Sequence, residues 1–178
     1  MVFSRLALSL SLAAVLAAAG ATAQEKVGKV SFPTSCSAAV QQELERAVAM
    51  LHSFWFSAST SAFNAVAQGD PGCAMAHWGI AMNALGNPFA WPPAPKGLAD
   101  GWAAVEKAKA AGARIQRERD YIAAIEAFYK DSATVDHRTR ALAYLGAMER
   151  LSQRYSDDRE AAIFYALALN ATALPTDK

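Results

Sequence analysis

Ala47, Met50 and Leu51, then Phe56, Ser59 and Phe63, then Asp70-Pro71, then Ala76-His77-Trp78-Gly79-Ile80-Ala81 is the stretch that decides the fold. The apolar and small residues recur every three or four positions, as on one face of a helix. The pattern runs on to Trp55, turns, resumes from Ser57 to Ala67, stops at Gly69-Asp70-Pro71-Gly72 and starts again. Proline cannot continue a helix and turns its predecessor away from helical geometry. The reading is therefore helix, turn, helix, stop, next helix. A weaker echo follows at Ala141, Leu145, Ala147 and Leu151, then Tyr155-Ser156-Asp157-Asp158, then Glu160 to Leu169. Helical hairpins recurring at about 34 residues predict a stacked solenoid.

Outward from that phrase, amphipathic spacing predicts seven helices. The first begins at Ala38 and carries Val40, Leu44, Ala47, Val48, Leu51 and Trp55, with Ser35 or Ser37 as its cap. The second runs from Ser57 to Ala67 and the third from Cys73 to Leu85. Four prolines then fall between Pro88 and Pro95, a segment predicted to be extended and to carry Phe89 and Trp91. The remaining helices are expected at Gly97 to Ala111, Ile115 to Tyr129, His137 to Arg154 and Asp158 to Thr172. Gly112 suits a helix C-terminus. No segment alternates with period two for long enough to predict a strand.

The N-terminus reads as a secretory signal. Arg5 precedes an almost purely apolar run, Leu6 to Ala19, and Ala21-Thr22-Ala23 supplies small residues for cleavage before Gln24. The run is about 14 residues, short for a bilayer span. The expected organisation is a signal peptide over 1–23, an extended leader over 24–37 and a helical domain over 38–178. The mature chain would be periplasmic or secreted, without a membrane anchor. Loss of residues 1–23 removes one base and no acid, leaving 16 of each and no net charge. No basic field is available for a phosphate backbone, so nucleic acid is excluded as a natural partner.

Export also decides how the cysteines are read. Cys36 and Cys73 are the only two, and in an oxidising compartment a disulfide is their simplest state. Two buried free thiols are the alternative. Each precedes the first helix of a hairpin, and neighbouring hairpins would bring those helix starts side by side.

The phrase Leu51-His52-Ser53-Phe54-Trp55-Phe56, then Ala62-Phe63, then Asp70 to Ala81, resembles the tetratricopeptide repeat, and more narrowly the opening repeat of secreted bacterial tetratricopeptide proteins. Pro71 takes the terminal proline slot, Phe63 the bulky slot, and Ser59 and Ala47 the small crossing slots. Similar phrases occur at Arg117 to Ile122 and Arg154 to Leu169. The likeness covers about residues 35–174. Ser59, Ser156 and the Asn87–Pro95 interruption depart from the pattern. The resemblance implies an all-α, right-handed superhelix of antiparallel helix pairs that acts as a scaffold, and it supplies no catalytic residue and no cofactor.

The expected function is therefore recognition of an unidentified protein or peptide. Its groove candidates are His52, His77, Asn83 and Arg140, and the Phe89-Trp91 loop either folds over the edge of the array or forms part of a recognition surface. The other class is a metal- or small-ligand-binding protein, or an enzyme, using His52 and His77. No HxxxH, HExxH or paired CxxC spacing supports a metal. A structural spacer in a longer chain is a third reading. Asp136 is expected to cap a helix, Glu118 to sit on a solvated face beside Arg114, and Asp157-Asp158 to form a turn. Asn170-Ala171-Thr172 matches a glycosylation sequon but lies within an expected helix. The last helix is apolar nearly all round, so an exposed patch at Ile163, Phe164 and Leu167, self-association through it, and further repeats downstream are expected.

Overall fold

The computed structural model describes residues 26–174 and 176. The signal peptide expected over residues 1–23 lies outside them. Among the described residues the protein is all-α, with helices α1 (Ala38–His52), α2 (Phe56–Gly69), α3 (Ala74–Ala84), α4 (Pro95–Ala111), α5 (Gln116–Tyr129), α6 (His137–Arg154) and α7 (Arg159–Thr172). No described helix is long and apolar enough to cross a membrane. Short links fold each helix back on the one before, so every helix packs on its neighbour in sequence. Contacts also skip one element, from α1 to α3 and from α3 to α5. Helices α1, α3 and α5 thereby share one side of the array, and Phe164 of α7 packs its ring on Trp78 and Tyr121 of that side.

The helix ends follow local chemistry. Asp136 caps α6 by accepting from the Thr139 amide, and Asp158 caps α7 by accepting from the Glu160 and Ala161 amides. Ser37 stands at the N-cap of α1, but its side chain makes no capping bond. Its amide instead donates to Asp70 Oδ2 at 2.7 Å. Gly112 adopts φ 75° after α4, a left-handed conformation that glycine enters without Cβ strain. The proline segment is not wholly extended. Pro88–Ala90 forms a single 3-10 turn, capped by Asn87 Oδ1 accepting from the Phe89 amide. Pro95 joins α4, because a proline in the first turn loses no intrahelical bond.

The core is one continuous cluster running from Phe32 to Ala168. Its crossings are close. A Cβ placed on Gly101 would stand 2.1 Å from Tyr129 Cζ, and Tyr129 is itself fixed by donating its hydroxyl to the Ala81 carbonyl at 2.8 Å. Alanine at an ordinary helical site gains about 1 kcal/mol over glycine. Here Gly101→Ala is expected to destabilise by about 1–3 kcal/mol through overpacking. Urea unfolding checks the sign, and a midpoint equal to or above wild type would contradict it.

Cys36 and Cys73 are joined, with Cα atoms 4.8 Å apart. The bond ties the end of the leader to the start of α3. Such a bond fits an oxidising, non-cytoplasmic setting.

Candidate functional site

The leader, residues 26–37, has no regular secondary structure but is held closely to the odd-numbered helices. Phe32 is fully buried, its ring 5.3 Å from those of both Trp78 on α3 and Tyr121 on α5. Its amide donates to Glu45 and its carbonyl accepts from Gln41, both on α1. Arg117 donates to the Pro33 carbonyl while its guanidinium lies over the Phe32 and Tyr121 rings. Arg114 donates to the Ser35 carbonyl. The Ser35 amide and hydroxyl both donate to Glu118. Side chains thus satisfy the backbone of an extended segment where no strand could.

Glu118 departs from its expected place. It is 1% exposed and binds Ser35, rather than standing on a solvated face. Arg114 turns to the leader carbonyl instead of pairing with it. Asp158, expected as a turn residue, both caps α7 and accepts from Arg117 Nε and the Tyr121 hydroxyl. Burial and that neighbouring carboxylate push the Tyr121 phenol far above its ordinary range, so it remains a donor.

Where the leader reaches Lys29 and Val30, a cavity of about 540 Å³ opens. Its inner wall is made by residues buried in the fold: Leu51, Met82, Leu85, Tyr144, Glu160, Phe164 and Ala168. Its rim carries the exposed side chains Phe54, Phe89 and Ile163. The volume lies in the range of ligand sites, and the walls are mainly apolar and aromatic, as such sites are. Besides the exposed Lys29, the polar exception is a pair. His52 Nε2 meets Glu160 Oε2 at 2.5 Å, and the His52 ring stacks on Phe164 with centroids 5.0 Å apart.

Phe54 occupies the rim at a backbone cost. Helix α1 ends with the Phe54 amide donating to the Leu51 carbonyl and the Trp55 amide to the Met50 carbonyl, both at 3.0 Å. These two bonds make a Schellman end, whose left-handed position usually holds glycine. Here it holds phenylalanine, at φ 58°. A bulky residue in that region costs about 1–2 kcal/mol. Such strain concentrates at binding sites.

The residues singled out by sequence fall in different places. His52 lines the cavity. Phe89 is 62% exposed on its rim, next to Phe54. Trp91 also lines it but is partly buried against Phe128 and His137, with its indole N–H donating to the Leu85 carbonyl. Asn83 and Arg140 are interior. Asn83 donates to Ser59 Oγ and to the Gly79 carbonyl, explaining why serine stands at that crossing. Arg140 donates to the carbonyls of Phe128 and Val135, closing the link before α6. Both residues are buried, and the Asn83 amide N–H and the Arg140 guanidinium are engaged within the fold, whereas Asn83 Oδ1 is buried with no hydrogen-bond partner among the described residues. His77 is not among the cavity residues. The one group of potential metal ligands found among the described residues is Cys36, Asp70 and Cys73, and its two sulfurs are bonded to each other. Sequence reasoning missed Glu160 and Phe54. The expected first helix runs through Phe54 to Trp55, whereas α1 ends at His52, and the sequence assigns Glu160 no role of its own.

Burial lowers the pKa of His77, helped by Lys107, and burial lowers that of His137, helped by Arg140. Both hold fewer protons when folded than when unfolded, so they favour the folded state only while neutral. Stability is expected to fall as pH drops below their ordinary value of 6.5, and to fall less in a His77→Gln/His137→Gln variant. Urea midpoints across mildly acidic pH check this. An unchanged pH slope in the double variant would contradict it.

Compared with protein-family models, curated proteins and solved structures, the chain matches none.

Proposed function

We propose that this is an exported, tetratricopeptide-like helical-repeat module that binds an extended segment of a partner polypeptide on the face of α1, α3, α5 and α7. In this reading that face is the inner surface of a superhelix, and the mature protein works in the periplasm or outside the cell. The observation that carries the reading is the leader. It lies on that face as an extended chain whose backbone groups are held by Gln41, Glu45, Arg114, Arg117 and Glu118. The same face continues into the cavity at Lys29 and Val30, where no segment of the described chain fills the space between Phe54, Phe89 and Ile163. Strain at Phe54 supports a functional rim.

The test is selection of displayed peptides on the oxidised mature protein, followed by affinity measurement on two variants. Ile163→Asp changes a rim residue that is 40% exposed, so the fold should persist. It is expected to weaken the selected peptides by about 10-fold or more, through a charge desolvated on binding. Phe54→Gly relieves the left-handed strain, and should raise stability while weakening binding. Peptides that bind Ile163→Asp as tightly as wild type would rule the cavity out as their site.

A further inference from the structure

We infer that the cavity selects a tyrosine side chain from its peptide, with Glu160 accepting the phenolic hydrogen. This rests on the peptide-binding reading above and adds the chemistry of its recognition. Glu160 is 5% exposed, yet it lines the cavity. One carboxylate oxygen is engaged by His52 Nε2, and its amide is taken by Asp158. Among the described residues no donor reaches the other oxygen, Oε1. With no donor on it, Oε1 keeps access to solvent, and a ligand that covered it without donating would leave a carboxylate oxygen buried and unpaired. His52 is fixed by its stack on Phe164, so the remaining acceptor is oriented before any ligand arrives.

The shape of the site narrows the donor. To reach from the rim to Glu160, a side chain must pass apolar and aromatic walls formed by Phe54, Phe89, Ile163 and Phe164. A rigid apolar body with a donor at its far end fits that path. Serine is too short. A lysine ammonium would have to be desolvated while Lys29 stands at the same cavity. An anionic ligand would meet the Glu160 carboxylate. Phenylalanine fills the walls but leaves Glu160 Oε1 without a donor. Tyrosine supplies both parts, since a ring buries apolar area and its hydroxyl carries the polar handle. The protein makes this same pairing twice within its own fold: the Tyr121 hydroxyl donates to Asp158 at 2.9 Å and the Tyr155 hydroxyl to Asp120 at 2.8 Å. A site built to bond a hydroxyl discriminates against the analogue that lacks it, because its polar group is then left buried and alone.

The probes are N-acetyl-tyrosinamide and N-acetyl-phenylalaninamide, titrated into isotope-labelled, oxidised mature protein and followed by the Trp91 indole and the Phe164 and Leu167 amides. The tyrosine compound is expected to bind about 5-fold or more tightly than the phenylalanine one. In Glu160→Gln, which keeps the shape and removes the charge, that preference should shrink towards unity. Equal binding of the two compounds to wild type would overturn the tyrosine inference and leave the peptide groove standing, and this comparison needs no variant to fold. A preference that survives unchanged in Glu160→Gln would also overturn it. If neither compound perturbs the cavity at millimolar concentration while both shift residues elsewhere, the groove reading fails with it.

Discussion

Phe32→Ala is expected to destabilise the protein by about 3–5 kcal/mol, the usual cost of truncating a buried phenylalanine. The magnitude follows from where the ring lies. It is fully buried between Trp78 and Tyr121 and under the Arg117 guanidinium, with Trp78 and Tyr121 in edge contact with each other and with Phe164. The walls of the resulting hole belong to two helices, α3 and α5, whose rings are braced by Phe164 of α7, so no small shift of one of them can fill it. A leader that merely hung from the domain would give a loss below about 1 kcal/mol, as surface substitutions do. Chemical denaturation therefore separates the two cases cleanly. A loss that small would show that residues 26–37 are not part of the core.

The second large effect concerns the disulfide. Replacing Cys36 and Cys73 together by serine is expected to lower stability by about 4 kcal/mol in the chain-entropy model, given the 37-residue separation. The serine pair places two hydroxyls near Asp70, which offers some compensation. The bond's role is local, because it fixes the residue that follows the Ser35–Glu118 clamp. Without it, amide exchange should rise first over the leader and the start of α3, ahead of α5 and α6. Exchange that rises uniformly would mean the bond acts only through the unfolded chain. Because Phe32 and Cys36 hold the same segment, their effects should not add.

Much of the helical framework was legible in the residues. Apolar spacing of three and four, together with Pro71, Gly112 and Asp136, located the seven helices, since each of these signals acts within one or two turns. The Cys36–Cys73 pair was legible from the hairpin repeat. What escaped reading depends on partners distant in sequence. Nothing around Phe32 distinguishes it from any β-forming residue in a loop, for its neighbours lie on α3 and α5. Glu118 has the local look of a first-turn acid in a charge run, and only the Ser35 amide and hydroxyl make it a buried acceptor. Helical phase assigned Asn83 and Arg140 to a face, but which face looks outward depends on how neighbouring helices cross. Phe164 was expected on an exposed patch. Its ring instead packs on Trp78 and His52; of the same expected patch Ile163 is exposed and Leu167 half-buried, and exposure on α7 continues at Leu169. The cavity was the least legible of all. It is formed by the leader, α1, α3, α6, α7 and the proline-rich turn together, and no single segment announces it.

The clamp on the leader also sets an order of assembly. Arg114, Arg117 and Glu118 stand 79 to 84 residues beyond the backbone groups they hold. As the chain emerges N-terminus first, the leader is among the first parts of the domain to appear and among the last to find its seat. The segment α1 to α3 can pack, and its two cysteines can pair, while α5 is still missing. Phe32 then waits with only one of its flanking rings, Trp78, in place. Long-range closure of this kind slows folding relative to neighbouring helix hairpins. Two phases are therefore expected in refolding of the oxidised protein: a fast one that forms helix, and a slower one that quenches or shifts Trp78 emission as Tyr121 closes over the leader.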